Sequence, residues 1–140
     1  MTGGLRWSHV ALNCRDVTAT EKFYRQWFGF QRARSVALDE SEIVFLRRGD
    51  AYLELFEVPD GAEVAGTADG PKEPGAVRHL AFQTDDLDDF LDRSGELPVS
   101  LGPLSFDGFL PGWRSVWFTD PDGVVVEVSQ GFRDDESLAV

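Results

Sequence analysis

Two histidines and two glutamates are the residues of this chain whose types and spacing could bind a metal ion. His9 and His79 are its only histidines, and each stands before a short apolar run, "VALNC" or "LAFQ". Glu54 and Glu127 each interrupt an apolar run, "YLELF" or "VVVEVS". An unpaired carboxylate buried in such a strand costs on the order of several kcal/mol, so each glutamate needs a partner. Imidazole and carboxylate together are ligand types that divalent transition metals accept.

An internal repeat relates these four residues in pairs. Aligning "SHVALNCRDV" with "RHLAFQTDDL" places His9 on His79. The later strands of the two halves align when the spacing between them is three residues larger than that between the histidines. This alignment places Glu54 on Glu127 and Phe45 on Phe118. A pseudo-twofold axis between two such halves would bring both histidines and both glutamates together. The repeat therefore predicts a divalent metal site, although no HxxxH or CxxC motif is present.

A structural interpretation of the same residues stays open. The histidines could end their strands with hydrogen bonds to the backbone, and the glutamates could lie at solvent-facing edges. The partners of the glutamates would then be arginines, namely Arg47, Arg48 or Arg114. The agreement of all four residues at repeat-equivalent positions favours the metal site.

Both halves of the 140-residue chain show the element order βαβββ. In the first half the patterns predict a strand over 8–14, a helix from Asp16 or Thr18 to Gly29, and strands over 30–38, 41–49 and 51–58. In the second half they predict a strand over 77–86, a helix ending near Gly95, and strands over 98–106, 113–120 and 123–130. We expect one domain over residues 1–140: module 1 at about 6–58, a linker at 59–76, module 2 at about 77–131 and a tail at 132–140.

Composition narrows the partners that we expect. Thirteen Lys and Arg against 25 Asp and Glu give a net charge of −12, which repels the phosphates of nucleic acids and of anionic membranes. The first residues lack the apolar run of a signal peptide, and no segment reaches the roughly 20 apolar residues of a membrane span. The single Cys14 fits a reducing compartment. We therefore expect a cytoplasmic protein that binds neither nucleic acid nor membrane.

The chain resembles the vicinal oxygen chelate superfamily, which includes glyoxalase I, methylmalonyl-CoA epimerase, extradiol dioxygenases, fosfomycin resistance enzymes and bleomycin resistance proteins. The stretches that carry the resemblance are "SHVALNCRDVTATEKFYRQWFGF", "YLELF", "RHLAFQTDDLDDF" and "VWFTDPDGVVVEV". The resemblance implies an α+β fold in which two tandem βαβββ modules form a curved mixed sheet around a metal cleft.

The resemblance also implies a metal set and a chemistry. His9, Glu54, His79 and Glu127 match the four metal positions of the glyoxalase I type, for one divalent transition metal: Ni, Co, Zn, Mn or Fe. Such an enzyme isomerises, epimerises or cleaves a small substrate with adjacent oxygens through a metal-stabilised enediolate, with Glu54 or Glu127 as the catalytic base.

Two alternatives of the same fold stay open. The first is a small-molecule-binding or antibiotic resistance protein that sequesters its ligand, although bleomycin-binding members typically lack this metal set. The second is an Fe(II) extradiol dioxygenase, which would use His9, His79 and Glu127. A fourth ligand at Glu54 would crowd out O₂.

Further residues are expected to contact a substrate. Asn13 and Gln83 share the faces of the two histidines, and a loop rich in aromatic residues suits a cover over a cleft. The substrate-binding candidates are Asn13, Gln83, Phe106, Phe109, Trp113 and Arg114. No basic cluster is evident in the sequence for the carboxylates of glutathione or the phosphates of coenzyme A. We expect a homodimer, as is common in this superfamily.

Overall fold

The chain divides into two compact units, Met1–Ala65 and Gly66–Val140. The computed structural model describes residues 4–64 and 77–138. The predicted linker 59–76 and tail 132–140 therefore lie partly outside the described residues, at 65–76 and 139–140. The predicted bounds of the two modules stay predictions.

The first unit contains a four-stranded mixed sheet and one helix. Its elements in chain order are β1 (Val10–Cys14), α1 (Val17–Phe28), β2 (Gln31–Ala37), β3 (Glu42–Arg48) and β4 (Ala51–Glu57). The strand order in the sheet is β1-β4-β3-β2. β1 runs parallel to β4, and the other two pairings are antiparallel.

The second unit repeats this arrangement. Its elements are β5 (Leu80–Gln83), α2 (Leu87–Arg93), β6 (Val99–Ser105), β7 (Arg114–Thr119) and β8 (Val125–Gln130). The strand order is β5-β8-β7-β6, with β5 parallel to β8. The predicted α+β class and the two βαβββ modules are confirmed, as two four-stranded mixed sheets.

Both helices begin at an aspartate. The Asp16 side chain accepts hydrogen bonds from the backbone N–H groups of Thr18 and Ala19 (2.9 and 3.2 Å), so Asp16 and not Thr18 is the N-cap. Asp86 accepts one from Asp89 (2.9 Å). These bonds satisfy amide groups that have no partner within a helix.

The helix ends differ between the units. α1 ends as expected at Gly29, which adopts the left-handed conformation (φ 70°) that glycine accepts without steric cost. The second helix ends near Gly95, as predicted, with Arg93 as its last residue. Its C-cap is Ser94, whose hydroxyl donates to the carbonyl oxygen of Phe90 (2.6 Å).

A second contact ties each helix to the last strand of its unit. The Glu57 carboxylate at the end of β4 accepts a hydrogen bond from the backbone N–H of Val17, the first residue of α1 (3.0 Å). The side-chain oxygen of Gln130, at the end of β8, accepts one from the first residue of α2, Leu87 (2.8 Å). Each helix therefore starts at a fixed point beside a strand that also carries a candidate glutamate.

One face of each sheet packs against the helix of its unit. In the first unit, Val44, Leu46, Leu53 and Leu55 alternate inward and are buried together with Tyr24 of α1. In the second unit, the buried residues are Val116, Phe118, Val126 and Val128, with Leu87 and Phe90 of α2. Since successive strand residues point to opposite faces, Glu54 and Glu127 lie on the faces away from these cores. Neither described helix has the length and apolar character that crossing a membrane requires.

Candidate metal-binding site

The first unit brings His9 and Glu54 together. β1 pairs with β4 so that Ala11 lies opposite Glu54, and His9 stands two residues before Ala11. The His9 Nε2 atom lies 3.3 Å from Glu54 Oε1. The other ring nitrogen, Nδ1, lies 2.8 Å from the Ser8 hydroxyl, and the Phe45 ring meets the imidazole edge-on at 5.9 Å. The histidine is therefore oriented on both sides, with Nε2 directed at the carboxylate.

The second unit repeats the pair with tighter contacts. His79 Nε2 lies 2.7 Å from Glu127 Oε2, and the buried Ser115 hydroxyl donates to Glu127 Oε1 (2.7 Å). Both oxygens of Glu127 are thus engaged. The buried Nδ1 atom of His79 has no hydrogen-bond partner among the described residues.

Cross-strand register corrects one part of the sequence alignment. Phe45 lies opposite Glu54, whereas Trp117, not Phe118, lies opposite Glu127. The residue equivalent to Phe45 is therefore Trp117, because the β7–β8 connection is longer than the Gly-Asp turn between β3 and β4. An aromatic side chain faces each glutamate, and Phe118 belongs to the buried core instead.

The arginines considered as partners of the glutamates have other contacts. Arg114 donates to Asp88 on α2 (3.1 Å). Arg47 donates to the carbonyl oxygen of Gly49 (2.8 Å), and Arg48 donates to the carbonyl oxygen of Phe28. The structure therefore pairs the glutamates with histidines, and not with these arginines.

The donor chemistry of each pair fits a divalent metal. One imidazole nitrogen and one carboxylate oxygen lie within 3.3 Å of each other in both units, and neutral imidazole and carboxylate are ligands that transition metals accept. A pair alone supplies two ligand residues. Over residues 4–64 and 77–138, no group of three or more His, Cys, Asp or Glu side chains is arranged to hold a metal ion.

A pocket of about 790 Å³ opens beside the first pair. It is lined by Arg6, Trp7, Ser8, His9, Phe45, Asp50 and Tyr52. Its volume falls in the range of small-molecule sites, and its aromatic walls with a few polar groups are typical of them. Tyr52 was not predicted as a site residue, although its position two residues before Glu54 in a strand places it on the same face.

The predicted substrate contacts have different surroundings. Asn13 and Gln83 are exposed, at the ends of β1 and β5 on the histidine faces. Phe106 and Trp113 pack against each other (4.9 Å between ring centres), whereas Phe109 is 84% exposed. Arg114 is held by Asp88, as noted above. Of the loop residues, Phe109 alone projects its ring into solvent.

The loop that carries these aromatic residues is internally bonded. The Asp107 carboxylate accepts a hydrogen bond from the backbone N–H of Gly112 (2.7 Å), and this bond and the Ser105 hydroxyl hold the pKa of Asp107 below its usual value. Phe106 and Trp113 close the loop through a backbone hydrogen bond (2.7 Å). The loop therefore has a defined shape with Phe109 at its tip.

The sequence shows no basic cluster, but the fold brings three arginines to the lining of one pocket. A second pocket of the first unit, of about 580 Å³, is lined by Arg32, Arg47 and Arg48 together with Tyr52. These arginines come from two neighbouring strands. Their proximity follows from strand register, which their spacing in the sequence does not reveal.

Comparison with known proteins identifies the family. Residues 6–128 match the model of the Glyoxalase/Bleomycin resistance protein/Dioxygenase superfamily, and the chain belongs to this superfamily. It is 29% identical over 123 residues to the uncharacterized protein YwkD of Bacillus subtilis (strain 168), covering 86% of this chain and 92% of YwkD.

Solved structures share the fold. The glyoxalase family protein from Enterococcus faecalis is 29% identical, with a TM-score of 0.69 over 92% of this chain and 100% of that one. The fosfomycin resistance protein FosX from Listeria monocytogenes, solved with Mn(II) and sulfate, is 22% identical, with a TM-score of 0.63 over 94% and 95% of the two chains. The latter likeness shows the fold alone.

Proposed function

We propose that this protein is a divalent-metal-dependent, glyoxalase-like enzyme that isomerises, epimerises or cleaves a small substrate with adjacent oxygens. His9, Glu54, His79 and Glu127 would hold one ion of Ni, Co, Zn, Mn or Fe. The observation that carries this proposal is the repeated pair, in which an imidazole Nε2 faces a carboxylate oxygen at 3.3 Å in one unit and 2.7 Å in the other. The Mn(II) of the FosX relative is consistent with it.

The metal would supply Lewis acidity that makes a carbon next to a carbonyl group easier to deprotonate. The chain itself would move the proton. Glu54 suits this role better than Glu127, because the structure records one contact for its carboxylate, at Oε1, while both oxygens of Glu127 are engaged. A carboxylate with a free oxygen can take a proton from one carbon and return it to the next.

The pocket beside His9 would bind the substrate. Phe45 and Tyr52 offer apolar surface on the sheet face that carries Glu54, while Arg6 and Asp50 add polar groups. Aromatic walls exclude water and strengthen electrostatic interactions within a site. A ligand of modest size therefore fits this pocket better than an extended polymer.

The alternative of a sequestering protein draws on the same pocket. Trp7 is 77% exposed at its rim, and an exposed tryptophan can stack on an aromatic ligand. Such a protein would bind its ligand without turning it over. Metal content separates the two functions, because sequestration by aromatic stacking requires no metal.

The test is metal analysis of the protein purified without chelator. We expect about one transition-metal ion per chain in the wild type, and at least a tenfold loss of metal affinity in His9→Ala and in His79→Ala. Glu54→Gln should also weaken binding, whereas the matched control Glu40→Gln changes an exposed glutamate in the β2–β3 turn and should not. Full stoichiometry in both histidine variants would contradict the proposal.

Two further expectations belong to the proposal. Association into a homodimer is tested by sedimentation equilibrium, in which a monomer at micromolar concentration would contradict it. The cytoplasmic location predicted from the sequence stays a prediction, to be tested by fractionation of the source cells.

A further inference from the structure

A pocket lined by arginines lies next to the pocket that contains His9. Its walls come from the end of α1, from β2 and from the β3–β4 hairpin, and include Arg32, Arg47, Arg48 and Tyr52. A protein with a net charge of −12 repels small anions at long range. Three arginines line this one pocket, although strand alternation places Arg47 on the opposite face of β3 from Arg48.

The three arginines differ in how far their charge is already neutralised. Arg32 forms a bidentate ion pair with Glu21, with nitrogen–oxygen distances of 2.9 and 2.6 Å. Arg48 donates to the carbonyl oxygen of Phe28 in the last turn of α1. Arg47 donates only its Nε to a backbone oxygen, that of Gly49. In the ranges that the structure describes, no carboxylate pairs with Arg47 or Arg48.

Tyr52 lies beside Arg47 on the sheet. The guanidinium carbon lies 5.7 Å from the centre of the Tyr52 ring, and the two residues are cross-strand partners in β3 and β4. Stacking on the ring and the bond from Nε leave the two terminal NH₂ groups of Arg47 available. Two adjacent N–H groups of a guanidinium match the two oxygens of a carboxylate or phosphate.

Strand register places Arg47 on the same face as Glu54. Phe45 pairs with Glu54 and Arg47 pairs with Tyr52, so the arginine lies one row further along the sheet. Two strand residues span about 7 Å. Tyr52 lines both pockets, so a small molecule could occupy them together.

We propose that the arginine pocket binds the carboxylate or phosphate group of the substrate, with Arg47 as the main contact. The assignment of this group to the substrate rests on the proposed function. The binding of an anion by the pocket does not, because no metal ligand contributes to it. The substrate class is therefore a small acid whose adjacent oxygens lie a few bonds from its anionic group.

The experiment is an NMR titration of the arginine Nε–Hε signals with inorganic phosphate and, separately, with succinate at constant ionic strength. In the metal-free wild-type protein we expect saturable shifts of the Arg47 and Arg48 signals with millimolar affinity. Arg47→Gln should weaken binding at least fivefold. Arg47→Lys should weaken it two- to threefold, because lysine keeps the charge and loses the forked geometry.

The control is Arg93→Gln, which changes an exposed arginine of the second unit that pairs with Asp89 and should leave the affinity unchanged. Comparison of phosphate with succinate shows which anion the pocket prefers. Absence of saturation with both anions, or equal affinities in wild type and Arg47→Gln, would overturn the inference. Repeating the titration with metal-loaded protein separates the proposed metal site from the arginine pocket. If the protein fails to bind metal, the titration of the metal-free protein still tests the arginine pocket.

Discussion

At the scale of single residues, the two candidate glutamates differ although the repeat makes them equivalent. Glu127 accepts a hydrogen bond from Ser115, whereas the corresponding position of the first unit is Ile43, which pairs with Phe56 as Ser115 pairs with Ser129. An isoleucine has no hydroxyl to donate. Glu127 is therefore oriented by its own strand neighbours, and Glu54 depends on His9.

The first prediction concerns Ser115. Replacement by alanine leaves Glu127 Oε1 without its donor, and loss of a group that orients a metal ligand costs about 10- to 100-fold in metal affinity. We expect Ser115→Ala to lower the affinity for the divalent ion by about tenfold, as measured by competition with a chromophoric chelator. Ser100→Ala removes a hydroxyl that donates to the Trp117 carbonyl instead, and should not change the affinity. Equal affinities in Ser115→Ala and wild type would show that Glu127 needs no orientation.

The second prediction concerns pH and the Glu21–Arg32 pair. The hydrogen bond from Arg32 holds the pKa of Glu21 below its usual value. A carboxyl group with a lowered pKa in the folded state stabilises the fold above its unfolded-state pKa, and this stabilisation is lost as the pH falls through the folded-state pKa. Because the Arg32 side chain is partly exposed, solvent screening reduces the contribution to about 1 kcal/mol.

We therefore expect Arg32→Gln to lower the free energy of unfolding by about that amount at neutral pH. The difference from wild type should shrink in acid, once Glu21 is protonated in both folded proteins. Urea unfolding at neutral pH and in acid measures this difference in the free energy of unfolding. Arg34→Gln, in the same strand, is the control. A difference that is equal at both pH values would assign the effect of Arg32 to packing and not to charge.

At the scale of elements, a side chain at the end of the last strand of each unit accepts a hydrogen bond from the first residue of the helix, and we expect its loss to destabilise the fold. Glu57→Ala removes the oxygen that accepts the Val17 N–H group, and loss of a helix-capping contact costs about 1 kcal/mol. Glu57→Gln should retain most of the stability, because Gln130 makes the same contact in the second unit. Amide hydrogen exchange at Val17 measures the effect locally. Equal losses in both variants would show that the negative charge matters and the hydrogen bond does not.

Element order was predictable because hydrophobic periodicity, aspartate caps and turn residues agree in both halves. Asp16 and Asp86 precede apolar helical patterns, and the alternation around Glu54 and Glu127 is that of strands with one buried face. The His–Glu contact within each unit was not predicted, because it depends on the parallel pairing of the first and last strands.

Details that depend on strand register were not predictable. The equivalence of Phe45 with Trp117 depends on the lengths of two hairpin connections. The arginine pocket depends on the pairing of β2 with β3, where a bulge between Arg32 and Arg34 shifts the register. The role of Ser115 appears only once β7 is placed beside β8. A single sequence does not specify such neighbours.

At the scale of the whole molecule, the proposed site predicts that metal binding stabilises the fold. Ligands held by the folded chain and not by the unfolded chain raise the free energy of unfolding, by about 2.7 kcal/mol at a free concentration 100 times the dissociation constant. We expect the midpoint of thermal unfolding to rise with added metal and to fall again with chelator. Glu54→Gln should abolish most of this rise, whereas Glu40→Gln should show it in full. An equal rise in both would place the metal elsewhere on this acidic protein.

The serine hydroxyl of one unit, set against an isoleucine side chain in the other, has a consequence for stereochemistry. Symmetry between the two halves would not by itself make the two sides of a planar carbon equivalent, because the chain is chiral and a twofold rotation preserves handedness. Ser115 restrains Glu127, whereas within residues 4–64 and 77–138 the structure shows no hydroxyl that donates to Glu54. Under the proposed function, the restraint on Glu127 leaves Glu54 as the single base, so that in an isomerisation the proton should leave and return on the same side of the substrate.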